Sequence, residues 1–473
     1  MSENKSTQLA VIGGGPGGYA AAFFAADIGM EVTLIDPDVN PGGVCLYRGC
    51  IPSKALLHVA RLVNETGEAG AWGVNFGKPE IKLEKLRAWK DEVVKKLTGG
   101  LGQLTKQRKI NYIRGTAVFK DNKTLDIKLH DGSNQTLLFD KAIIATGSYP
   151  ATIPGFPPFS SQVLDSTGAL ELSDIPKSLL VVGGGYIGLE MGTVYAALGT
   201  KVTVVEMMPG LLPGVDRDLV NTLAKRLDKK FDTVLLKTTV TEMNEQKNGV
   251  KVKFKSEDGK EQEKRFEKVL VAVGRKPNSQ NLGLENTKIE IERGFIKVNL
   301  QRRTIEPNIF AIGDVVGEPM LAHKASHEGR TAVEDIAGKK VAFEPAAIPA
   351  VVFTDPEIAW CGLTETEAKK QNREIKAVRF PWAASGRATT LGRTDGVTKL
   401  IIDPRTERVL GVGIAGPGAG EMIAEGVLAV EMAALVSDLS LTIHPHPTLT
   451  ETVMEAADLF FGRSTHYYRP KKK

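Results

Sequence analysis

The chain has 473 residues and a formal net charge of +5 at pH 7, and 42% of its residues are hydrophobic. This length exceeds what one hydrophobic core usually serves, so we expect several domains of a soluble globular protein. The small net charge, without a basic stripe interleaved with aromatic residues, argues against a nucleic-acid-binding protein. No apolar run reaches the roughly 18 residues of a membrane-spanning helix, and three cysteines are too few for a secreted disulfide framework.

Both ends of the chain are polar. The opening MSENKSTQ has the features of neither a signal peptide nor a transit peptide. The closing RPKKK is basic, and we interpret it as a solvated tail rather than a docking signal. We therefore expect a cytoplasmic protein.

One internal duplication organises the first half of the chain. Segments 8–36 and 178–206 each contain an apolar strand, a glycine turn, an Ala-rich helix and a β-branched strand that ends in an acid. This pattern is a βαβ unit written twice, and it predicts two nucleotide-binding domains.

Other segments are predicted from hydrophobic periodicity and turn residues. We expect a charged helix over 86–107, short strands over 112–138, and a buried strand at 309–317 followed by a helix. From about residue 346 the pattern is that of antiparallel strands, with helices over 421–435 and after HPHPTLTE. The predicted fold is α/β, with two Rossmann-like dinucleotide-binding domains and a C-terminal α+β domain.

Each βαβ unit carries a G-x-G-x-x-G pattern, with an acid at the end of its second strand. The glycines allow a tight turn, close approach of a pyrophosphate and close helix–strand packing, while the acid accepts bonds from ribose hydroxyls. Plain βα turns also carry glycines, but two complete matches favour two different dinucleotides. The MMPG that follows the second acid has no arginine for a 2′-phosphate, which favours NAD at that unit. The two sets are Gly13, Gly15, Gly18 and Asp36, and Gly183, Gly185, Gly188 and Glu206.

Two of the three cysteines, Cys45 and Cys50, follow the first βαβ unit. A zinc site would need two more ligands, and Cys361 stands alone in the sequence. Two buried structural cysteines so close together would be a coincidence. We favour a redox-active pair, since a protein that binds two dinucleotides is already equipped for electron transfer.

Helix geometry constrains this pair. Residues five apart in a regular α-helix have Cα atoms about 8.7 Å apart, whereas a disulfide needs less than about 7 Å. If the two cysteines form a disulfide, the segment must be an irregular turn, which Gly49 and Pro52 are placed to shape. A loop this short adds little stability, as is typical of a labile disulfide rather than a structural one.

The segment GGVCLYRGCIPSK (42–54) resembles the active-site signature of class I pyridine nucleotide–disulfide oxidoreductases, and among them the dihydrolipoamide dehydrogenases, the E3 components of 2-oxo acid dehydrogenase complexes. The resemblance continues through ATGS, VAVGRKPN, IFAIGDV, MLAHKASHEG, TDPEIAW and HPHPTLTE, and so covers essentially the whole chain. It implies four regions. These are an FAD-binding domain (1–150), an NAD-binding domain (151–276), a central domain that completes the FAD site (277–345) and an interface or dimerisation domain (346–473).

The resemblance also implies residue roles. Lys54 lies beside the flavin with Glu190 as its ionic partner. The residues expected at FAD are Gly13, Gly15, Gly18, Asp36, Lys54, Gly115, Ala117, Thr146, Gly147, Asp314, Ala322 and His323. The residues expected to contact NAD, or the face of the flavin towards NAD, are Gly183, Gly185, Gly188, Glu190, Glu206, Val240, Ala272 and Gly274.

A reactive dithiol also needs a proton acceptor, since the thiolate is the nucleophile. The resemblance assigns this role to His446, oriented by Glu451, and leaves His444 a structural or supporting role. An alternative for Glu451 is a capping box with Thr448 as the N-cap, and the two roles are compatible. In the family this segment reaches into the site of the other subunit, which implies a homodimer.

The implied reaction is the reoxidation of dihydrolipoamide on a lipoyl-bearing E2 subunit. Electrons pass through Cys45 as the interchange thiol and Cys50 next to the flavin, then through FAD to NAD⁺. A mercuric reductase or a large thioredoxin reductase would carry a C-terminal redox motif, which THYYRPKKK lacks. A glutathione reductase would need a basic NADP pocket, and a non-catalytic flavin-binding scaffold would not need the cysteines and His446 together.

Two departures from the family pattern stand out. Tyr47 and Arg48 replace the commoner residues between the cysteines. Arg48 is either a cation that lowers a cysteine pKa or a solvated side chain. Tyr186 is bulkier than the aliphatic residue usual at its position and is a candidate gate for the nicotinamide.

Overall fold

The computed structural model of the protein describes residues 5–468. The predicted solvated tail RPKKK therefore lies outside the described residues, as do the first four residues of the chain. Within 5–468, no helix combines the length and the apolar character that crossing a membrane requires.

The elements of residues 5–150 begin with the first predicted βαβ unit and continue through three further helices and a meander of strands. They are β1 (Lys5–Ile12), α1 (Pro16–Asp27), β2 (Val32–Asp36), α2 (Gly43–Arg48), α3 (Cys50–Glu68), α4 (Leu83–Gln107), β3 (Asn111–Phe119), β4 (Thr124–Leu129), β5 (Asn134–Ile144) and β6 (Ser148–Pro150).

These strands form one sheet of mixed direction. β1 pairs in parallel with β2 and β5, and β2 pairs in parallel with the start of β3. The remainder of β3, β4 and the start of β5 form an antiparallel meander. Leu9, Ala10 and Val11 are fully buried, as expected for a central parallel strand covered on both faces.

The elements of residues 151–290 contain the second βαβ unit, followed by an antiparallel excursion and a return to the same sheet. They are β7 (Val163–Leu164), α5 (Ser166–Glu171), β8 (Ser178–Val182), α6 (Tyr186–Ala197), β9 (Lys201–Val205), α7 (Arg217–Lys230), β10 (Thr233–Leu235), β11 (Thr238–Gln246), β12 (Gly249–Ser256), β13 (Glu261–Phe266), β14 (Lys268–Val271) and β15 (Arg275–Pro277).

The second unit repeats the architecture of the first. Its parallel sheet has the order β10-β9-β8-β14-β7, and β11, β12 and β13 form a separate antiparallel sheet. β8 pairs with β9 as β1 pairs with β2. The duplication predicted from the sequence is therefore a structural duplication.

The remaining elements include one strand that returns to the first sheet and then a new antiparallel sheet. They are β16 (Ile291–Glu292), β17 (Phe295–Ile296), β18 (Ile309–Ala311), α8 (Ala322–Ile336), β19 (Ala350–Val352), β20 (Ile358–Gly362), α9 (Glu365–Lys370), β21 (Lys376–Pro381), α10 (Gly386–Thr390), β22 (Val397–Ile402), β23 (Val409–Ala415), α11 (Ala419–Glu431), α12 (Val436–Leu441) and α13 (Glu451–Phe461).

The strands of this last stretch belong to different sheets. β18 pairs in parallel with β5 and so extends the first sheet. The strands after residue 346 form the antiparallel order β19-β20-β23-β22-β21, and residues of α11 and α13 share one hydrophobic core with it. The fold class is therefore as predicted, with two Rossmann-like units and a C-terminal α+β region.

Details of the last region differ from the prediction. The helix expected over 421–435 ends at Glu431, and a separate helix, α12, follows it. The short elements α9, α10 and β21 were not predicted. The final helix begins at Glu451 with Thr450 as its N-cap, so Thr448 is not the N-cap of a full capping box.

One buried ionic cluster joins the second unit to the C-terminal region. Lys399 on β22 is only 1% exposed. Its Nζ lies 2.6 Å from Asp216 and 2.8 Å from Asp218 at the start of α7, and 3.2 Å from Glu365 on α9. These acids have the spacing of a cation site, and the ammonium of Lys399 supplies the cation. Although burial opposes ionisation, Lys399 holds the pKa of Asp216 below its usual range.

We expect Lys399→Met to destabilise the fold strongly, because Asp216 would stay buried without its cation. The expected loss is about 3–5 kcal/mol in the free energy of unfolding, measured by urea denaturation. Lys237→Met is the control, since Lys237 pairs with Glu257 on the surface and should cost less than about 1 kcal/mol. Equal effects of the two substitutions would contradict a role for the buried cluster in holding the two regions together.

Candidate active site

The two glycine loops have the same geometry. Gly13 and Gly183 have φ of +103° and +108°, and a Cβ at either position would lie within 2.4 Å of a backbone oxygen. A Cβ at Gly18 would lie 1.8 Å from the oxygen of Gly13, and one at Gly188 would lie 2.4 Å from the oxygen of Gly183. These close approaches require glycine at the first and third positions of each loop.

The second glycine of each loop faces open space instead. Gly15 is the N-cap of α1 and Gly185 is the N-cap of α6, and nothing lies within 4 Å of a Cβ built at either. Within residues 5–468, neither helix start has a side-chain cap or an acid in its first turn. The unpaired N–H groups and the helix dipole favour a bound anion. The two loops therefore fit the pyrophosphates of FAD and NAD.

The acids that end β2 and β9 are also placed alike. The Asp36 carboxylate accepts from the N–H of Gly14 at 2.5 Å and from the N–H of Asp38 at 2.9 Å. Glu206 accepts from the N–H groups of Gly184 and Met208, both at 2.7 Å. Burial raises the pKa of Asp36. Each carboxylate thus holds its own glycine loop, and its remaining lone pairs are available to ribose hydroxyls.

Other residues predicted for FAD meet at one edge of the first sheet. Thr146 and Gly147 follow β5, and Asp314 follows its parallel neighbour β18. Ser148 donates a hydrogen bond to Asp314. Ala322 and His323 begin α8, and the His323 ring lies 2.8 Å from the carbonyl of Pro349.

Five of the residues predicted to bind a cofactor can contact it mainly through backbone atoms. The side chains of Ala117 and Val240 are buried in hydrophobic cores, so a cofactor at these positions meets the main chain only. Gly115 follows the residue of β3 that pairs with Asp36. Ala272 and Gly274 follow β14, and the Ala272 carbonyl lies against Gly183.

The cysteine pair lies across a break between two helices. α2 ends at Arg48 and α3 begins at Cys50. Gly49 between them has φ −147° and ψ −113°, so the chain there is not helical. Both cysteines are free thiols, and each acts on the pKa of the other. The segment thus forms the irregular turn that a disulfide between these positions would require.

The two thiols have opposite acidities. The hydrogen bond from Cys45, helped by the Lys54 ammonium, lowers the pKa of Cys50 to about 7 although burial opposes this. The same hydrogen bond, together with burial, raises the pKa of Cys45. Of the two thiols, Cys50 is therefore the one that ionises more readily.

Lys54 supplies the positive charge beside this thiolate. It lies four residues after Cys50 on α3, so the two side chains share one helix face. Its Nζ is 2.8 Å from Glu190 Oε2 on α6, and Glu190 is 2% exposed. This contact joins the first βαβ unit to the second at the dithiol.

The Arg48 side chain is 40% exposed and is paired with an acid. Its guanidinium is bonded to the Asp38 carboxylate at 2.7 Å and lies 5.7 Å from the centre of the Tyr47 ring. The Tyr47 hydroxyl donates to the carbonyl of Asn40 at 3.0 Å. The two residues therefore tie α2 to the loop after β2, and Lys54 is the cation that acts on the cysteines.

Tyr186 begins α6 and is 40% exposed. Burial raises the pKa of its phenol to about 12, and charges on Arg275, Glu190, Asp314 and Cys50 act on the same group. The side chain therefore lies among residues of the dithiol region. A role as a nicotinamide gate remains a prediction.

His446 is paired with Glu451, as the resemblance implies. Its Nδ1 lies 2.8 Å from Glu451 Oε1, while Glu451 Oε2 accepts from the N–H of Thr448 at 2.7 Å. Burial opposes ionisation of Glu451, but the Thr448 N–H and His446 hold its pKa below the usual range. An ionised Glu451 keeps a proton on Nδ1, and Nε2 is then a proton acceptor. The side chain of His446 is 72% exposed, with no second hydrogen bond within residues 5–468.

Sequence reasoning missed three residues that hold the site together. Arg275 donates to both the hydroxyl and the carbonyl of Ser148, the residue that contacts Asp314. Phe353 contacts both Lys54 and Glu190. All three lie in or next to quoted motifs, but no spacing rule identifies their partners, which are more than a hundred residues away.

The fold and the site together define an enzyme with two dinucleotide sites and a redox dithiol. The sequence matches the pyridine nucleotide-disulphide oxidoreductase family over residues 7–329 and the dimerisation domain of that family over residues 348–457. The chain belongs to the pyridine nucleotide-disulphide oxidoreductase family.

Individual relatives agree with this assignment. The chain is 47% identical to dihydrolipoyl dehydrogenase from Haemophilus influenzae over 100% of this chain and 99% of that one. It is 46% identical to dihydrolipoyl dehydrogenase from Thermus scotoductus over 98% and 99%. Among solved structures, LpdA from Mycobacterium tuberculosis has a TM-score of 0.89 at 28% identity over 96% and 99% of the chains. The HOCl-induced flavoprotein disulfide reductase RclA from Escherichia coli has a TM-score of 0.84 at 30% identity, also over 96% and 99%.

We expect Lys54→Met to raise the pKa of Cys50 by about one unit, because the nearest cation is lost. The measurement is the pH dependence of alkylation of the single remaining site thiol in a Cys45→Ser background. Arg48→Met is the matched control and should leave the pKa unchanged, since Arg48 is paired with Asp38. A larger shift from Arg48→Met than from Lys54→Met would contradict the assignment of the cation.

Proposed function

We propose that the protein is a dihydrolipoyl dehydrogenase that oxidises dihydrolipoyl groups to lipoyl groups and reduces NAD⁺ to NADH. The observation that carries the proposal is the placement of Cys45 and Cys50 across the Gly49 break, with Lys54 one helical turn after Cys50 and bonded to Glu190 of the second unit. Relatives that match the chain almost end to end share this activity by name.

The cofactors have defined places in this proposal. FAD is held by the first glycine loop, Asp36 and the Asp314 edge of the first sheet, and NAD by the second loop and Glu206. When bound, FAD accepts two electrons from the dithiol, and they leave as a hydride to NAD⁺. The protein contributes the positions of the thiols, the ammonium of Lys54 and the base.

The thiol chemistry is an exchange reaction. His446 Nε2 accepts the proton of one dihydrolipoyl thiol, and the resulting thiolate attacks Cys45 Sγ of the oxidised pair. The Cys45–Cys50 bond breaks, a mixed disulfide forms at Cys45, and Cys50 leaves as a thiolate. The second dihydrolipoyl thiol, deprotonated in turn, attacks the substrate sulfur of the mixed disulfide. This closes the lipoyl ring and releases Cys45, which takes up a proton.

The products of this exchange agree with the relative acidities of the two thiols. A Cys45 thiol and a Cys50 thiolate are the protonation states that the hydrogen bond between them favours. The lowered pKa makes Cys50 the better leaving group, and the exchange therefore has a direction. Cys45 is the sulfur that meets the substrate.

We propose that a second copy of the chain supplies the base. His446 and its neighbours lie on a face with strongly exposed apolar side chains, among them Leu428, Met432, Leu441 and Ile443. A monomer rarely exposes such a group, and the region belongs to the dimerisation domain of the family. A twofold dimer would bury this face and carry His446 to the dithiol of its partner.

Further parts of the proposal concern domains, partner and location. We assign the FAD domain to residues 1–150, the NAD domain to 151–276, the central domain to 277–345 and the interface domain to 346–473. The partner is the lipoyl-bearing E2 subunit of a 2-oxo acid dehydrogenase complex, and the location is the cytoplasm.

We expect the wild-type protein to reduce NAD⁺ with dihydrolipoamide, and His446→Gln to lower this turnover by about 10²–10⁴-fold through loss of the base. His444→Gln is the matched control. His444 has its own partner, Glu425, at 2.8 Å, and its loss should leave most of the turnover. Efficient reduction of glutathione disulfide without turnover of dihydrolipoamide would contradict the proposed substrate.

Subunit mixing tests the shared site in the same assay. His446→Gln and Cys45→Ser are each expected to be inactive as homodimers. A mixed dimer has one intact site if the base crosses between subunits, so unfolding and refolding the two variants together should restore activity. No recovery, with both variants dimeric and loaded with FAD, would place His446 and the cysteines of one site on the same chain.

A further inference from the structure

The strongest unexplained contact in the site comes from the C-terminal region. Phe353 follows β19, about 300 residues after the cysteines, and yet it touches both members of the Lys54–Glu190 pair. Its ring centre lies 4.6 Å from Lys54 Nζ. Its N–H donates to Glu190 Oε1 at 3.0 Å, while Glu190 Oε2 accepts from Lys54.

Each contact of Phe353 stabilises a charged group. Glu190 is almost fully buried, and a buried carboxylate is costly unless its lone pairs are bonded. Lys54 and the Phe353 N–H supply one partner for each oxygen. The Lys54 ammonium has a single hydrogen bond within residues 5–468, and the face of an aromatic ring stabilises a cation that is otherwise poorly held.

The position of Phe353 is itself fixed by its neighbours. Val352 is buried in a hydrophobic core that also contains Leu56 and Leu57 of α3 and Leu189 of α6. Two residues on, Asp355 is paired with Arg226 of α7 at 2.6 Å and with Arg393 at 2.8 Å. The segment is thus held from both sides and is not a free loop.

We propose that Phe353 is a positioning residue that holds the Lys54 ammonium at the distance from Cys50 at which it stabilises the thiolate. The inference rests on the proposed function, since it takes Cys50 to be the thiolate of the dithiol. Through Phe353, the C-terminal region sets the charge environment of cysteines that follow the first βαβ unit.

Several groups act on the charge of Cys50, and Lys54 is the one with a positive charge. Cys45 from α2 donates a hydrogen bond to it, Lys54 from α3 lowers its pKa, and Glu190 from α6 raises it. Tyr186 from α6 and Tyr19 from α1 also interact with its charge. Lys54 is the cation among these groups, and Phe353 contacts both Lys54 and its counter-ion Glu190.

The test is Phe353→Leu, which removes the aromatic face and keeps the apolar volume and the N–H. In the FAD-loaded Cys45→Ser protein, the long-wavelength absorbance of the Cys50 thiolate against the flavin is titrated with pH. We expect the apparent pKa to rise by about half a unit to one unit. Phe353→Tyr is the matched control, since it keeps the aromatic face, and it should titrate as the parent does.

A double-mutant cycle separates positioning from general disturbance. If Phe353 acts through Lys54, Phe353→Leu should shift the pKa in the Lys54 background but not in a Lys54→Met background. An unchanged pKa in Phe353→Leu, or an equal shift in both backgrounds, would overturn the inference. A complete absence of thiolate absorbance in the parent would instead overturn the proposed role of Cys50, so the two failures are distinguishable.

Discussion

The break at Gly49 between α2 and α3 is the constraint on which the rest of the site depends. Because Gly49 interrupts the helix, Cys45 and Cys50 can approach each other; in a continuous helix their Cα atoms would be too far apart for a disulfide. The two thiols also differ in acidity, with the pKa of Cys50 lowered and that of Cys45 raised, and in the proposed mechanism this difference gives the exchange reaction its order. Lys54 favours the Cys50 thiolate, whereas the charge of Glu190 opposes it while its carboxylate holds Lys54 in place.

The duplicated βαβ units explain why the dithiol lies where it does. Each unit presents an uncapped helix start over a glycine loop, and each holds its loop with the acid at the end of the second strand. The dithiol helix α3 follows the first unit and is bonded to α6 of the second through Lys54 and Glu190. A dithiol between two dinucleotide sites can therefore exchange electrons with both through a single flavin.

The C-terminal region is linked to the dithiol site in two ways, one within its own chain and one across the proposed dimer. Inside the chain it supplies Phe353, and the Lys399 cluster ties it to the second unit. Its other functional group, His446, projects from an exposed apolar face and has only Glu451 as a partner within residues 5–468. In our proposal, one region positions Lys54 beside the dithiol of its own chain and supplies the base to the dithiol of the other chain of the dimer.

Sequence patterns correctly predicted those features of the structure that depend on only a few neighbouring residues. The glycine loops, their terminal acids and the break at Gly49 follow from the steric and helical constraints of a few neighbouring residues. The partner of Arg48 could not be predicted in this way, because Asp38 approaches it only through the path of the loop after β2. Phe353 could not be predicted for the same reason, since its contacts depend on how three regions of the chain pack against one another. Thr448 and Glu451 matched a capping box, but the helix begins at Glu451 and only half of that box is formed.

The central claim is that Cys45 and Cys50 cycle between a disulfide and a dithiol during turnover. Alkylation under denaturing conditions, followed by peptide mass spectrometry, tests it before and after anaerobic addition of one equivalent of dihydrolipoamide. The account predicts that both cysteines are protected in the oxidised enzyme and both are labelled after reduction, while Cys361, which is free and buried, is labelled in both samples. Equal labelling of Cys45 and Cys50 in the two samples would contradict it.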